Sequence, residues 1–190
     1  GCHPACSITS GFGGAGAFSD GKFNITNEFG GWMDEYISSE EVLELIRYVD
    51  GINLKHGAPE EITDPTTLKV LEIERKGIAQ GLKLLRSEVR HLGTEINLKV
   101  LQSIFEEMKN KIDYLFKKEV IDIIVEDNVV KGVEVSGIGT IEAENVVLGV
   151  GRGGSNWLTN VLTKHGLHLH NNRVDIGVRV ETNDIVMEEI

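Results

Sequence analysis

The spacing of hydrophobic positions changes along this chain and divides it into a glycine-rich head, a helical middle and a β-rich tail. In the middle, Val42, Leu45, Ile46 and Val49 recur at three- and four-residue intervals, the spacing of one helix face. Ser38 with Glu41 three residues on makes a capping-box pair, so the helix is predicted to start there. A second helix is predicted to begin at Asp64-Pro65, an acid able to cap followed by a proline whose fixed φ suits the first helical position. It should run through Leu68 and Leu71 toward Gly77. A third is predicted behind Thr94 as its cap, with Leu98, Leu101, Ile104, Phe105, Met108 and Ile112 lining one face as core.

From Val120 the period falls to two. Strands are predicted over 120–125, 129–135 and 138–143, separated by Glu126-Asp127-Asn128 and Ser136-Gly137, which makes a three-stranded β-meander. The almost wholly apolar run Val146-Val147-Leu148-Gly149-Val150 reads as a strand buried on both faces, and so as part of a parallel sheet. It ends at Gly151-Arg152-Gly153-Gly154. Ser155 is then expected to cap a helix carrying Trp157, Leu158, Val161 and Leu162 and stopped by Gly166. A last alternating strand is expected at Val174, Ile176, Val178 and Val180. Buried strand, glycine turn and helix in that order are the grammar of a doubly wound α/β sheet.

The head, from Ser10 to Lys22, carries too little side-chain volume to pack as a regular element, so its backbone is free to approach a ligand closely. Gly11, Gly13 and Gly16 satisfy G-x-G-x-x-G, but that spacing identifies a dinucleotide site only between a buried strand and a helix. No apolar run precedes it, and Ser19-Asp20-Gly21-Lys22 breaks any helix behind it. The better reading is a different glycine loop whose N–H groups and hydroxyls cradle a phosphate or line a ring system, with a mere tight turn as the alternative.

Composition narrows the classes. A net charge of −11 without a Lys/Arg run argues against nucleic acid or an anionic membrane surface as the main partner. No apolar run approaches the roughly 18 residues of a membrane-spanning helix, and no signal peptide opens the chain, so a cytoplasmic location is expected. The start at Gly1-Cys2-His3 without Met, and the stop at Ile190 in an acidic stretch, read as an internal fragment. Cys2 and Cys6 fit neither a disulfide framework nor a complete metal site and read as reduced thiols. His165, His168 and His170 straddle a helix stop without an acid or Cys at ligand spacing, so no metal is expected there.

The run Gly11-Phe12-Gly13-Gly14-Ala15-Gly16-Ala17-Phe18-Ser19-Asp20-Gly21-Lys22 resembles the signature of a family of uncharacterised FAD-dependent dehydrogenases. Arg90-His91-Leu92-Gly93-Thr94, the meander, Val146 to Gly151 and Ile176 to Glu181 are similar to that family's later landmarks, in the same order along nearly the whole chain. More loosely, the meander before a hydrophobic strand ending in glycine resembles the glutathione-reductase type of flavoprotein domain. The resemblance implies an α/β fold: part of an FAD/NAD(P)-binding Rossmann-like domain with the three-stranded meander and an inserted, mainly helical cap or substrate region. The parts would be a glycine-rich loop (1–30), the helical region (31–92), the FAD-domain helix, meander and buried strand (93–165) and the start of a second domain (166–190).

It further implies FAD held by Gly13, Gly14, Ala15, Gly16, Ser19, Asp20, Gly21 and Lys22 along the pyrophosphate and flavin, by the backbone of Val120 at the adenine, and by Gly149, Gly151 and Arg152 near the phosphates and ribose. Lys22 could face the electron-rich edge of a reduced ring, or be a solvated charge. His91 could transfer a proton or bind substrate, or simply precede a helix. The family's opening strand and G-x-G-x-x-G loop would lie upstream of Gly1, and its closing glycine-aspartate segment is not found after Glu181, so the isolated fragment is expected to be inactive. The expected activity is hydride or electron transfer with a small-molecule substrate or electron donor that no residue identifies. Against it stand a non-catalytic nucleotide-binding module and a structural protein retaining the fold.

Overall fold

The computed structural model describes residues 10–171, 176–178 and 181–187. It forms two compact units, one of residues 1–14 and 109–177 and the other of residues 15–108 and 178–190. Both hold helices with a small antiparallel sheet, so the chain is mixed α/β, and no parallel strand pair occurs among the described residues.

In the second unit the strand β1 (Lys22–Ile25) pairs antiparallel with β2 (Glu88–His91), placing Lys22 opposite His91 and Phe23 opposite Arg90. Neither four-residue strand is predicted by hydrophobic periodicity, because so short a segment holds only two positions per face. Between them lie α1 (Ser39–Lys55) and α2 (Leu68–Ala79). The predicted start of α1 is found: Ser38 Oγ accepts from Glu41 N and the Glu41 carboxylate accepts from Ser38 N, the complete capping box. The predicted start of α2 is corrected. Asp64 does not cap the helix but accepts from the N–H and hydroxyl of Thr66 in a local turn, and Thr67 is the cap. A short acid bonding two residues ahead favours a turn over the first helical bond.

The third helix, α3 (Thr94–Met108), starts with Thr94 inside it rather than as its cap. Its buried face is also rotated from the predicted one. Val100 (2% exposed) and Asn97 are buried and Ile104 packs beside Val100, Ala58, Leu92 and Phe23, whereas Leu98, Met108 and Ile112 are exposed. The cause is polar: Asn97 Nδ2 donates to Gly16 O at 2.5 Å, which draws that side of the helix inward. Arg90 is likewise buried at 5% exposure. Its Nε and Nη2 bond the two oxygens of Asp50 at 2.6 and 2.7 Å, and Nη1 donates to Pro59 O at 2.6 Å, so β2, α1 and the loop after it are joined.

The first unit is built on β3 (Val120–Glu126), β4 (Val129–Val135) and β5 (Gly139–Glu142), in the predicted meander order. Asp127 (φ 50°) and Asn128 (φ 62°) make the left-handed two-residue turn that matches strand twist. Gly132 cannot be replaced without moving β5, since a Cβ there would stand 2.0 Å from Ile141 O. The expected strand at 146–150 is not formed. The segment pairs with nothing among the described residues and Val147 is 94% exposed, because an apolar sequence becomes a parallel strand only beside another strand that takes its backbone bonds. Residues 152–154 form a 3₁₀ turn, and Ser155 opens α4 (Ser155–Lys164) from inside, its hydroxyl bonding Arg152 O instead of capping. The helix stops at the predicted glycine, with Leu167 N reaching back to Leu162 O. Of the expected last strand, Ile176 and Val178 are exposed and pair with no strand among the described residues, and Val174 and Val180 lie outside them. A single turn, α5 (Asp184–Met187), follows.

Trp157 Nε1 donates to Ile121 O at 2.9 Å, and the Asp122 carboxylate accepts from Lys164 Nζ and from Ile123 N, joining α4 to β3. These bonds, the one from Lys164 foremost, hold the Asp122 carboxyl below its ordinary value. A carboxyl depressed on folding stabilises above its unfolded pKa of about 3.9 and loses that contribution as pH falls through the lower folded value. Urea titrations should therefore show Asp122→Asn less stable than the native chain near neutrality, with the gap closing as the pH drops below about 4. A gap unchanged by acid would contradict the assignment.

Candidate functional site

A glycine chain segment can bring backbone N–H groups to a ligand from one side, and two such segments meet in the first unit. Ser10, Gly11 and Gly14 from the head, Lys117, Lys118 and Glu119 ahead of β3, and Gly149 to Gly154 together line an open cleft of about 720 Å³. The head turns back on itself through Gly14 N donating to Gly11 O at 2.9 Å. It is tied to the segment before β3 by aromatic contacts: Phe12 meets Tyr114 edge-on at 6.1 Å, and Tyr114 stacks on Phe116 at 5.4 Å. Lys117 and Lys118 follow directly in sequence. On the opposite side Val150 lies over Gly154, where a Cβ would stand 2.6 Å from Val150 Cβ, so the turn at the start of α4 depends on glycine.

The charge of this cleft is set by Lys117, Lys118 and Arg152 against Glu119. Gly153 and Gly154 lead into the first turn of α4, at the positive end of the helix dipole, where Ser155 N already donates to Arg152 O. Backbone donors, a helix N-terminus and excess positive charge are the donor set that suits a phosphate or pyrophosphate. Of the residues predicted for cofactor contact, Gly14, Gly149, Gly151 and Arg152 line the cleft, while Gly13 and Val120 adjoin lining residues in sequence. Ser10 and Gly11 were expected only as part of the head's binding loop, and the lysines were not expected. Two adjacent lysines directly ahead of a strand already implicated were the available signal.

The remaining predicted residues belong to the second unit, and several serve its own fold. Gly16 O is bound by Asn97, Ser19 Oγ accepts from Gly21 N at 3.1 Å, and Gly93 N donates to Asp20 O at 2.8 Å. Gly21 is buried, and a Cβ there would stand 3.0 Å from Leu92 Cβ. Ala15 begins the segment, in a 3₁₀ turn over 14–18 that takes the place of the α-helix a dinucleotide fingerprint requires. Lys22 and His91 are brought together. They face each other across β1 and β2, and Asp20 Oδ2 lies 3.1 Å from Lys22 Nζ and 3.6 Å from His91 Nε2. All three side chains are more than half exposed, which makes this a solvated polar cluster with an imidazole available for proton exchange.

Cys2 and Cys6 lie outside the described residues. Among the described residues no group of three His, Cys, Asp or Glu side chains could hold a metal, and no helix is long and apolar enough to cross a membrane. No protein-family model and no curated protein matches the chain.

Inorganic pyrophosphate is the simplest probe of the cleft. Calorimetric titration of the native chain should give saturable binding that weakens with added salt, and the double variant Lys117→Ser, Lys118→Ser should weaken it by about tenfold or more. Equal binding by the variant would mean that the lysines do not face the anion.

Proposed function

We propose that this chain is part of a cytoplasmic FAD-dependent oxidoreductase of the dehydrogenase type, with the glycine cleft of the first unit as the FAD phosphate site of a Rossmann-like domain. The observation that carries the reading is the convergence of two glycine segments, distant in sequence, on one cleft with Lys117, Lys118 and Arg152. The residues fit the group. FAD carries a diphosphate between two ring systems, and the cleft offers backbone N–H groups, three cations against one carboxylate, and a volume of about 720 Å³, in the ordinary range of ligand sites. Gly149, Gly151 and Gly154 would allow the backbone to come close to the phosphates, and Lys117, Lys118 and Arg152 would balance their charge.

When bound, FAD supplies the hydride- or electron-accepting chemistry, which no side chain of the protein can provide. The chain's own part is to bind the phosphates and orient the rings. Residues 31–92 serve a small-molecule substrate or electron donor in this reading, and His91, held near Asp20, is the residue suited to exchange a proton.

A second reading, a nucleotide-binding module without chemistry, rests on the same lining, whose described residues offer phosphate-type donors and include no histidine, cysteine or tyrosine. The two separate by experiment. After incubation with FAD and removal of excess, the native chain should keep visible flavin absorption, and Gly151→Val with retained circular dichroism should lose it. Loss of all flavin by the native chain would contradict both readings. Reduction of the retained flavin by a nicotinamide would favour the first.

A further inference from the structure

In the second unit a groove of about 370 Å³ lies between β1 and α1, walled by Ile25, Val42, Leu45 and Val49 and almost wholly apolar. Asn53, one of three polar lining residues with Asn24 and Asp50, is only 7% exposed, and its Nδ2 is buried without a hydrogen-bond partner among the described residues. A buried amide donor left unpaired costs about 1–3 kcal/mol, and it persists where something else satisfies it. Asn53 is itself a lining residue of the groove, and χ2 is a soft torsion for asparagine, so its amide is free to turn.

The charge of the lining decides what kind of acceptor suits it. Asp50 also lines the groove, and its carboxylate is held by Arg90 from the far side, so the pair offers no free cation to an anionic ligand. An entering carboxylate would meet apolar walls and a like charge, which is unfavourable on both counts. A neutral carbonyl meets neither objection. We propose that this groove binds an uncharged, apolar carbonyl compound, with its hydrocarbon or aryl body between β1 and α1 and its oxygen accepting from Asn53 Nδ2. The inference goes beyond the flavin reading and does not rest on it, since none of these residues lines the glycine cleft.

Three probes of one shape test it on the full chain: acetophenone, which has the acceptor; ethylbenzene, which lacks it; and benzoate, which carries a charge. Titrations followed by ¹H–¹⁵N and methyl NMR should show acetophenone shifting the Asn53 side-chain amide and the methyls of Ile25, Val42 and Leu45 saturably. It should bind at least about fivefold tighter than ethylbenzene, the size of one net hydrogen bond, with benzoate weakest. Asn53→Leu should reduce acetophenone to the level of ethylbenzene and leave ethylbenzene binding intact. If that variant does not fold, Leu45→Trp, at an exposed wall position, should fill the groove and abolish binding of both neutral probes. Equal affinities for acetophenone and ethylbenzene in the native chain, preference for benzoate, shifts mapping to another surface, or acetophenone binding unaffected by Leu45→Trp would each overturn the proposal.

Discussion

A guanidinium taken out of water must find charge and hydrogen bonds together, and the second unit is arranged around that requirement. Arg90, on a strand of only four residues, reaches Asp50 on α1 through two parallel bonds and the carbonyls beyond α1 through the rest of its fork. Losing either partner would leave a buried charge unpaired, at a typical cost of about 3–5 kcal/mol, more than a ribbon of two short strands could recover by itself. The position of β2 follows from this pair, and β1 follows from β2. Lys22 then stands opposite His91, and Ile25 and Phe23 are presented to α1, so the polar cluster and the apolar groove both depend on one ion pair.

The first unit is governed by different physics. Its meander needs no buried charge, because tight turns and cross-strand pairing specify it locally, and α4 is attached by a tryptophan N–H and the Asp122–Lys164 pair. What sets its chemistry is backbone that lacks side chains. Where Val150 folds over Gly154, a β-carbon would overlap it, and the glycines line one cleft with Lys117, Lys118 and Arg152. The excess of positive charge among its lining residues suits such a cleft to an anion.

These differences decide what could be read in the sequence. The meander was legible because its signals are local: alternation along 120–135 and the Asp127-Asn128 and Gly137 turns sit next to the strands they connect. The start of α1 was legible because Ser38 and Glu41 complete a capping box within four residues. The face of α3 was not, since it is chosen by Asn97 bonding a carbonyl 81 residues away, and counting apolar positions cannot weigh a buried amide. The segment 146–150 shows the opposite failure, a strand-like composition without a strand to pair with. For the cleft, the glycines were found from sequence and the lysines were not, because an exposed lysine acquires meaning only from what the chain folds beside it.

The central question for this protein is whether the two glycine segments act as one ligand site. Its most direct test is a ¹H–¹⁵N titration of the chain with FAD, following the backbone amides of Gly11, Gly14, Gly149, Gly151 and Gly153. The account predicts that they shift together with a single saturation curve, and that ADP moves a subset of the same resonances. Shifts confined to one segment, or spread over surfaces away from both, would contradict it.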